Sequence, residues 1–329
     1  MNGSPGAVPA DYVAPWWLPG GHAQTIYAAT LAPRAAVAYR RERWDTPDGD
    51  FIDVDFTTSA AAADAPVLAL FHGLEGSSSS PYARALMACA EQLGWRGLVA
   101  HFRGCSGEPN RLPRAYHSGD AQEIDWILRR VQRAWPAARL FAVGISLGGN
   151  ALSKWLGERG SEAHFVCAAA AVGAPLDLAA GGAALGRGFN RLYTRHFLAT
   201  LKRKALEKCD RFPRLLDDTR RARIARARDL HDFDDAFTAP LHGYRDADDY
   251  WSRAAARPGL RDVAVPLLVI NALNDPFVPA ASLPRRCEVS ASVTLEYPRE
   301  GGHIGFTVGP FPGNPQYLPR RIARFLAQG

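Results

Sequence analysis

The sequence predicts an α/β fold with a mostly parallel central sheet, helices on both faces, and an inserted helical cap. Three observations carry this. Short unbroken apolar runs alternate with helical patterns, as crossover-connected parallel strands require. The runs do not alternate polar with apolar, so both faces of the sheet are covered. The rhythm breaks once, after Pro175, and resumes near residue 266 of a 329-residue chain.

The elements follow in order. Residues 1–10 are rich in Gly, Pro, Ala and Ser and are expected to be loose. Next come Pro15-Trp16-Trp17-Leu18 and Gly20-Gly21-His22. Paired tryptophans near a chain end are expected to dock on their own chain, so residues 1–36 read as a segment lying on the core. Residues 37–56 alternate around Pro47-Asp48-Gly49, which predicts an antiparallel hairpin. Residues 67–71, 98–102, 140–143 and 165–172 read as buried strands. Between them, 82–93 reads as a helix stopped by Gly94, and 120–135 as an amphipathic helix with Ile124, Ile127, Leu128 and Val131 on one face. Residues 147–156 read as a helix ending near Gly157. Residues 176–257 are mostly helical and rich in Arg and aromatics, which suits the cap. Strands at 266–270 and 293–297 and a helix at 318–327 complete a core made of 37–175 and 258–329.

Composition narrows the class. Hydrophobic residues at 47% and charged residues at 22% permit a sizeable buried core and argue against disorder. The net charge of +6 is local, because residues 201–228 hold eleven Lys or Arg against four Asp or Glu. Five cysteines form no CxxC pair, so neither a disulfide framework nor a zinc site is expected. No basic segment precedes an apolar one at the N-terminus, and no run approaches eighteen apolar residues. The expected compartment is the cytoplasm.

The chemistry centres on Gly144-Ile145-Ser146-Leu147-Gly148. A Gly-rich turn with an inert serine could carry the same pattern. The strand before it and the helix after it make it a nucleophile elbow, with Ser146 projecting at the carboxyl edge of the sheet. A serine alcohol is a weak nucleophile and needs a base, itself oriented by an acid. Asp275, in Asn274-Asp275-Pro276, follows one strand, and His303, in Gly301-Gly302-His303, follows the next. No other His lies after Asp275, so His303 has no rival as base. Asp177, at the end of an earlier strand, is the second choice of acid. The tetrahedral oxygen needs preplaced N–H donors, each worth about 2.7–4 kcal/mol. The backbone N–H of Leu147 supplies one, and that of Leu74, in His72-Gly73-Leu74-Glu75-Gly76, is nominated for the other.

These stretches resemble the YheT-like branch of the α/β-hydrolase fold, whose eukaryotic relatives are the ABHD-type lipid hydrolases. The resemblance runs through Pro15-Trp16-Trp17-Leu18, His22-Ala23-Gln24-Thr25, His72-Gly73-Leu74-Glu75-Gly76 and Ser80-Pro81-Tyr82. It continues through Phe102-Arg103-Gly104-Cys105-Ser106-Gly107-Glu108, the elbow to Asn150, Phe233-Asp234-Asp235 and Gly302-His303. It spans nearly the whole chain. It implies hydrolysis of carboxylic or lipid-like esters with neither metal nor organic cofactor, and it supports Ser146, Asp275 and His303 one by one.

The remaining candidates read as structural. Cys105 has no motif histidine to activate it and is expected to line the entrance. Asn150 is expected to pack or hydrogen-bond locally, and His117 and His242 to be structural. The basic stretch has Leu201, Leu206, Leu215, Leu216 and Ile224 interleaved, which suits a cap with a solvated basic face. No nucleic-acid-binding motif accompanies it, so no nucleic acid is expected, and contact with a membrane surface would be weak. The predicted activity is that of a serine esterase on a small-molecule ester. An acyltransferase would use the same acyl-enzyme, and a binding protein could keep the scaffold. The sequence leaves the oligomeric state open.

Overall fold

The computed structural model describes residues 12–328, so the expectation for residues 1–10 lies outside it. The chain opens with helix α1 (Gly21–Thr30), then forms the hairpin β1 (Tyr39–Asp45) and β2 (Phe51–Thr57). The alternating core follows: β3 (Val67–Phe71), α2 (Pro81–Gln92), β4 (Arg96–Ala100), α3 (Ala121–Ala134), β5 (Leu140–Ile145), α4 (Leu147–Arg159) and β6 (Ala168–Val172). Between β6 and the next strand the chain is helical. It forms α5 (Leu178–Leu185), α6 (Asn190–Arg211), α7 (Asp218–Arg226) and α8 (Leu230–Phe233), which runs through a π-turn into α9 (Ala239–Leu241), then α10 (Ala247–Ala254). Strands β7 (Leu267–Ile270) and β8 (Val293–Glu296) and helix α11 (Tyr317–Gln328) end it. No helix of the described residues is long and apolar enough to cross a membrane.

The eight strands form one sheet in the order β1-β2-β4-β3-β5-β6-β7-β8. Strand β2 is antiparallel to both its neighbours, and β3 to β8 are parallel where they pair. Alternate residues of each strand feed different layers. Val67, Ala69 and Phe71 join Ile124, Leu128 and Trp155 on the α3–α4 face. Leu68 and Leu70 join Leu86, Met87, Ile322 and Leu326 on the α2–α11 face. The order reverses at β3, which lies between β4 and β5. That reversal leaves a crevice at the strands' carboxyl ends, where ligands of open α/β sheets bind.

Some boundaries differ from expectation, and one helix was not expected; β6 starts at Ala168 rather than 165. Strand β4 ends at Ala100 rather than 102, because the Phe102 N–H goes to His72 Nε2 (3.1 Å) and leaves the ladder. Helix α4 runs past Gly157 to Arg159. Gly157 does not stop it, and Gly160, at φ 48°, does. Helix α1 was not marked by apolar periodicity at all.

Candidate active site

Strand β5 delivers Ser146 into a left-handed backbone (φ 53°) and α4 begins at the next residue. The Ser146 N–H donates to the Val172 carbonyl (2.8 Å), which fastens the turn to β6. The glycine after it is steric: a Cβ on Gly148 would collide with the Phe71 and His72 carbonyl oxygens. The serine Oγ lies 3.0 Å from His303 Nε2, and His303 Nδ1 lies 2.9 Å from Asp275 Oδ2. Asp275 Oδ1 accepts from the N–H groups of Phe277 (2.8 Å) and Val278 (3.3 Å), so Oδ2 is left for the imidazole. Those partners assign the tautomer: Nδ1–H donates to the carboxylate and Nε2 accepts from the serine. The Phe277 ring packs against the imidazole, with centroids 4.3 Å apart.

The loop after β3 is fixed on both sides of Leu74. The Gly73 N–H donates to the Tyr82 hydroxyl (2.9 Å) and the Glu75 N–H to the Tyr116 hydroxyl (3.0 Å). His72 Nδ1 contacts the Gly73 carbonyl (2.7 Å). With its neighbours committed, Leu74 lines the same cavity as Ser146, Leu147 and His303. Leu147 is the first residue of α4, so its N–H has no acceptor within the helix. Nothing in the sequence marks either tyrosine as a loop clamp, and no local pattern points 41 residues downstream from Glu75 to Tyr116.

The cavity holds about 460 Å³ and runs from Ser146 under the helices between β6 and β7. Leu178, Leu185, Phe197, Leu201, Phe237 and Trp251 give it an apolar wall. Asp234 also faces it, bonded to the Trp251 indole (2.8 Å) and the Thr238 hydroxyl (2.7 Å). Burial pushes that carboxyl up to about 6. Among the described residues no cluster of three or more His, Cys, Asp or Glu is arranged to hold a metal.

The other candidates fall elsewhere. Asp177 caps α5, accepting from the Ala180 N–H (3.0 Å), and sits 3.6 Å from Arg257, so it does not partner His303. Cys105 lines the cavity, and burial pushes its thiol up to about 12, which keeps it protonated. Asn150 corrects an expectation. It bonds remote segments, donating to Ser118 O (2.8 Å) and Ala254 O (2.9 Å) and accepting from Ala256 N (3.0 Å). The solvated basic face is corrected in part. Lys204 pairs with Glu75 (2.8 Å), and Lys208 is buried on Asn110 Oδ1, Leu112 O and Arg114 O. Arg211 reaches Asn110 O (2.9 Å). Their spacing of three and four puts all three on one helix face, a signal that charge counting passes over. The docked tryptophan pair is corrected by half. Trp17 packs on Tyr27 and Phe311, and its indole donates to Gly309 O (3.0 Å), whereas Trp16 is 91% exposed.

Known proteins agree with this architecture. The family described as alpha/beta hydrolase fold matches residues 66–310. The YheT protein of Escherichia coli (strain K12), an esterase by name, is 40% identical over 306 residues, covering 93% of this chain and 89% of its own. Human phospholipase ABHD3 is 29% identical over 327 residues, 97% of this chain and 79% of its own. The esterase Pf2001 of Pyrococcus furiosus superposes with a TM-score of 0.56 at 18% identity, over 91% of this chain and 98% of that one, a likeness of fold. With a matched family spanning most of the chain and a relative at 40% identity, this chain belongs to the α/β-hydrolase fold family, in its YheT-like branch.

Proposed function

We propose that the protein hydrolyses carboxylic esters of lipid-like character through an acyl-enzyme on Ser146. The observation that carries this reading is the unbroken chain of hydrogen bonds from Asp275 through His303 to Ser146 Oγ. Ser146 Oγ attacks the ester carbonyl carbon while His303 Nε2 takes its proton. The carbonyl oxygen becomes an oxyanion, received by the N–H groups of Leu74 and Leu147. His303 then protonates the departing alkoxide, and the acyl group stays on Ser146. In the second half His303 takes a proton from water, which attacks the acyl carbon; as the tetrahedral intermediate collapses, His303 returns that proton to Ser146 Oγ and the carboxylic acid leaves. Asp275 holds the imidazole tautomer and stabilises the imidazolium that forms twice.

The helical excursion of residues 176–257 acts as the cap in this reading, and its apolar wall receives the hydrocarbon part of the substrate. Relatives named as a phospholipase and a monoacylglycerol lipase support that substrate class. The test is hydrolysis of p-nitrophenyl esters from acetyl to palmitoyl by wild type and Ser146→Ala. Activity that depends on chain length and vanishes in the variant supports the reading. Equal rates in both proteins remove Ser146 from the mechanism.

A further inference from the structure

Asp275 and His303 stand on two separate loops, after β7 and β8. Their 2.9 Å contact exists only while those loops hold one mutual position. Ladder pairing ends at Ile270–Glu296, and two further backbone bonds, from the Asn271 N–H to Glu296 O (3.1 Å) and from the Leu273 N–H to Pro298 O (2.8 Å), tie the loops but stop short of both residues. The last residues of each loop need a further tie.

Helix α1 supplies it. Three consecutive backbone N–H groups of the base loop are each taken by a side-chain oxygen. The Gly301 N–H donates to Gln24 Oε1 (2.9 Å), the Gly302 N–H to Asn274 Oδ1 (2.9 Å), and the His303 N–H to Thr25 Oγ1 (2.8 Å). Gln24 Oε1 also accepts from Asn274 Nδ2 (3.0 Å), and Asn274 immediately precedes Asp275. One carbonyl oxygen therefore binds the acid loop and the base loop together. Its own amide nitrogen is anchored on Leu18 O (3.1 Å) and Glu300 Oε1 (3.3 Å). Gln24 is fully buried. The helix approaches too closely for variation: a Cβ on Gly21 would collide with the Asn274 carbonyl oxygen. A buried amide with every polar atom used is a rigid spacer, because breaking one bond strands another partner.

We propose that Gln24 and Thr25 are positioning residues for the hydrolysis, with α1 setting the geometry of the base and acid from outside the sheet. Neither touches the reacting atoms. Gln24 fixes the separation of the two loops, and Thr25 fixes the backbone from which the imidazole projects. This rests on the reading of Ser146, His303 and Asp275 as the catalytic set.

The test compares Gln24→Met, Thr25→Val and Thr25→Ser with wild type and Ser146→Ala, using p-nitrophenyl acetate. The two apolar variants keep size and lose the acceptor, and Thr25→Ser keeps the acceptor. Rates are referred to folded protein by circular dichroism and a melting curve. The expected result is kcat lowered on the order of 10- to 100-fold in Gln24→Met and Thr25→Val. KM changes little, because the substrate pocket is untouched, and Thr25→Ser recovers most of kcat. Folded variants that keep wild-type kcat overturn the proposal, as does a Thr25→Ser no better than Thr25→Val. If Gln24→Met fails to fold, the Thr25 pair still decides. Retention of activity by Ser146→Ala would instead sink the catalytic reading, and is recognisable as such.

Discussion

Tyr116 makes two hydrogen bonds to one residue. Its hydroxyl accepts the Glu75 N–H (3.0 Å) and donates to Glu75 Oε1 (2.7 Å), while Lys204 pairs with Oε2 (2.8 Å). Glu75 needs this support, since it holds a left-handed backbone (φ 55°) without being glycine. Such a conformation costs about 1–3 kcal/mol. A hydrogen bond to a charged group contributes about 1.5–3 kcal/mol, enough to offset it. Leu74 is the residue before Glu75, so the Tyr116 hydroxyl also governs where the proposed oxyanion donor points. Tyr116→Phe removes that hydroxyl and leaves the Glu75 N–H without its partner. We expect stability to fall by about 1–3 kcal/mol in urea titrations. We expect kcat on p-nitrophenyl acetate to drop about 10-fold with KM nearly unchanged, as for partial loss of an oxyanion donor. An unchanged kcat would mean that the loop is held without Tyr116. At this scale the candidate nucleophile, base and acid were legible because each stands in a motif just past a strand. The tyrosines that clamp the loop were not, since what makes them partners is folding, not spacing.

At the scale of elements, legibility followed apolar burial. The runs at β3 and β5 to β7 are wholly buried, and apolar continuity found them. Helix α3 was found from its stripe, whose members Ile124, Ile127, Leu128 and Val131 are all buried. Helix α1 escaped because two of its three buried residues, Gln24 and Thr25, are polar. A helix that buries hydrogen-bonding groups has no apolar stripe to read. Helix α4 gives the converse lesson. Glycine is a poor helix former, so Gly157 reads as a stop. Its place is set by packing, because a Cβ there would come 2.5 Å from the Gly259 carbonyl oxygen. Gly157→Ala therefore pits a propensity gain of about 1 kcal/mol against an overpacking cost of about 1–3 kcal/mol. The obstacle is backbone and cannot rotate away, so the cost wins. The variant is expected to melt below wild type, and a melting temperature raised instead would show that the segment at Gly259 yields freely.

Across the whole molecule, the core and the helical excursion meet at a seam of uncharged imidazoles. His117, in the loop after β4, and His242, after α9, face each other with ring centroids 4.2 Å apart. A third buried imidazole, His72, lies in the core at the start of the loop after β3, with its Nε2 occupied by the Phe102 N–H. Burial first, then neighbouring cations or imidazoles, holds all three at about 3, well below the ordinary 6.5. The sign follows from linkage. Below pH 6.5 the unfolded chain protonates these groups and the folded chain does not, so stability falls with pH until about 3. Each group contributes about 1.4 kcal/mol per pH unit across that window. Two carboxyls oppose them. Burial raises Asp234 to about 6 and lifts Glu123 above the ordinary carboxyl range, so the folded chain takes up their protons first. Among these five groups the three imidazoles outnumber the two carboxyls, so their combined contribution falls as the pH drops below 6.5. His242→Asn isolates one member of the set. Whatever it does to stability at pH 7, its loss between pH 6.5 and 5 should be shallower than that of wild type by about 1.4 kcal/mol per pH unit. Urea midpoints at those pH values read the difference directly. Parallel curves would mean that His242 accepts a proton in the folded protein. The seam would then tolerate charge, and the joint between excursion and core would have to owe its acid response to His117.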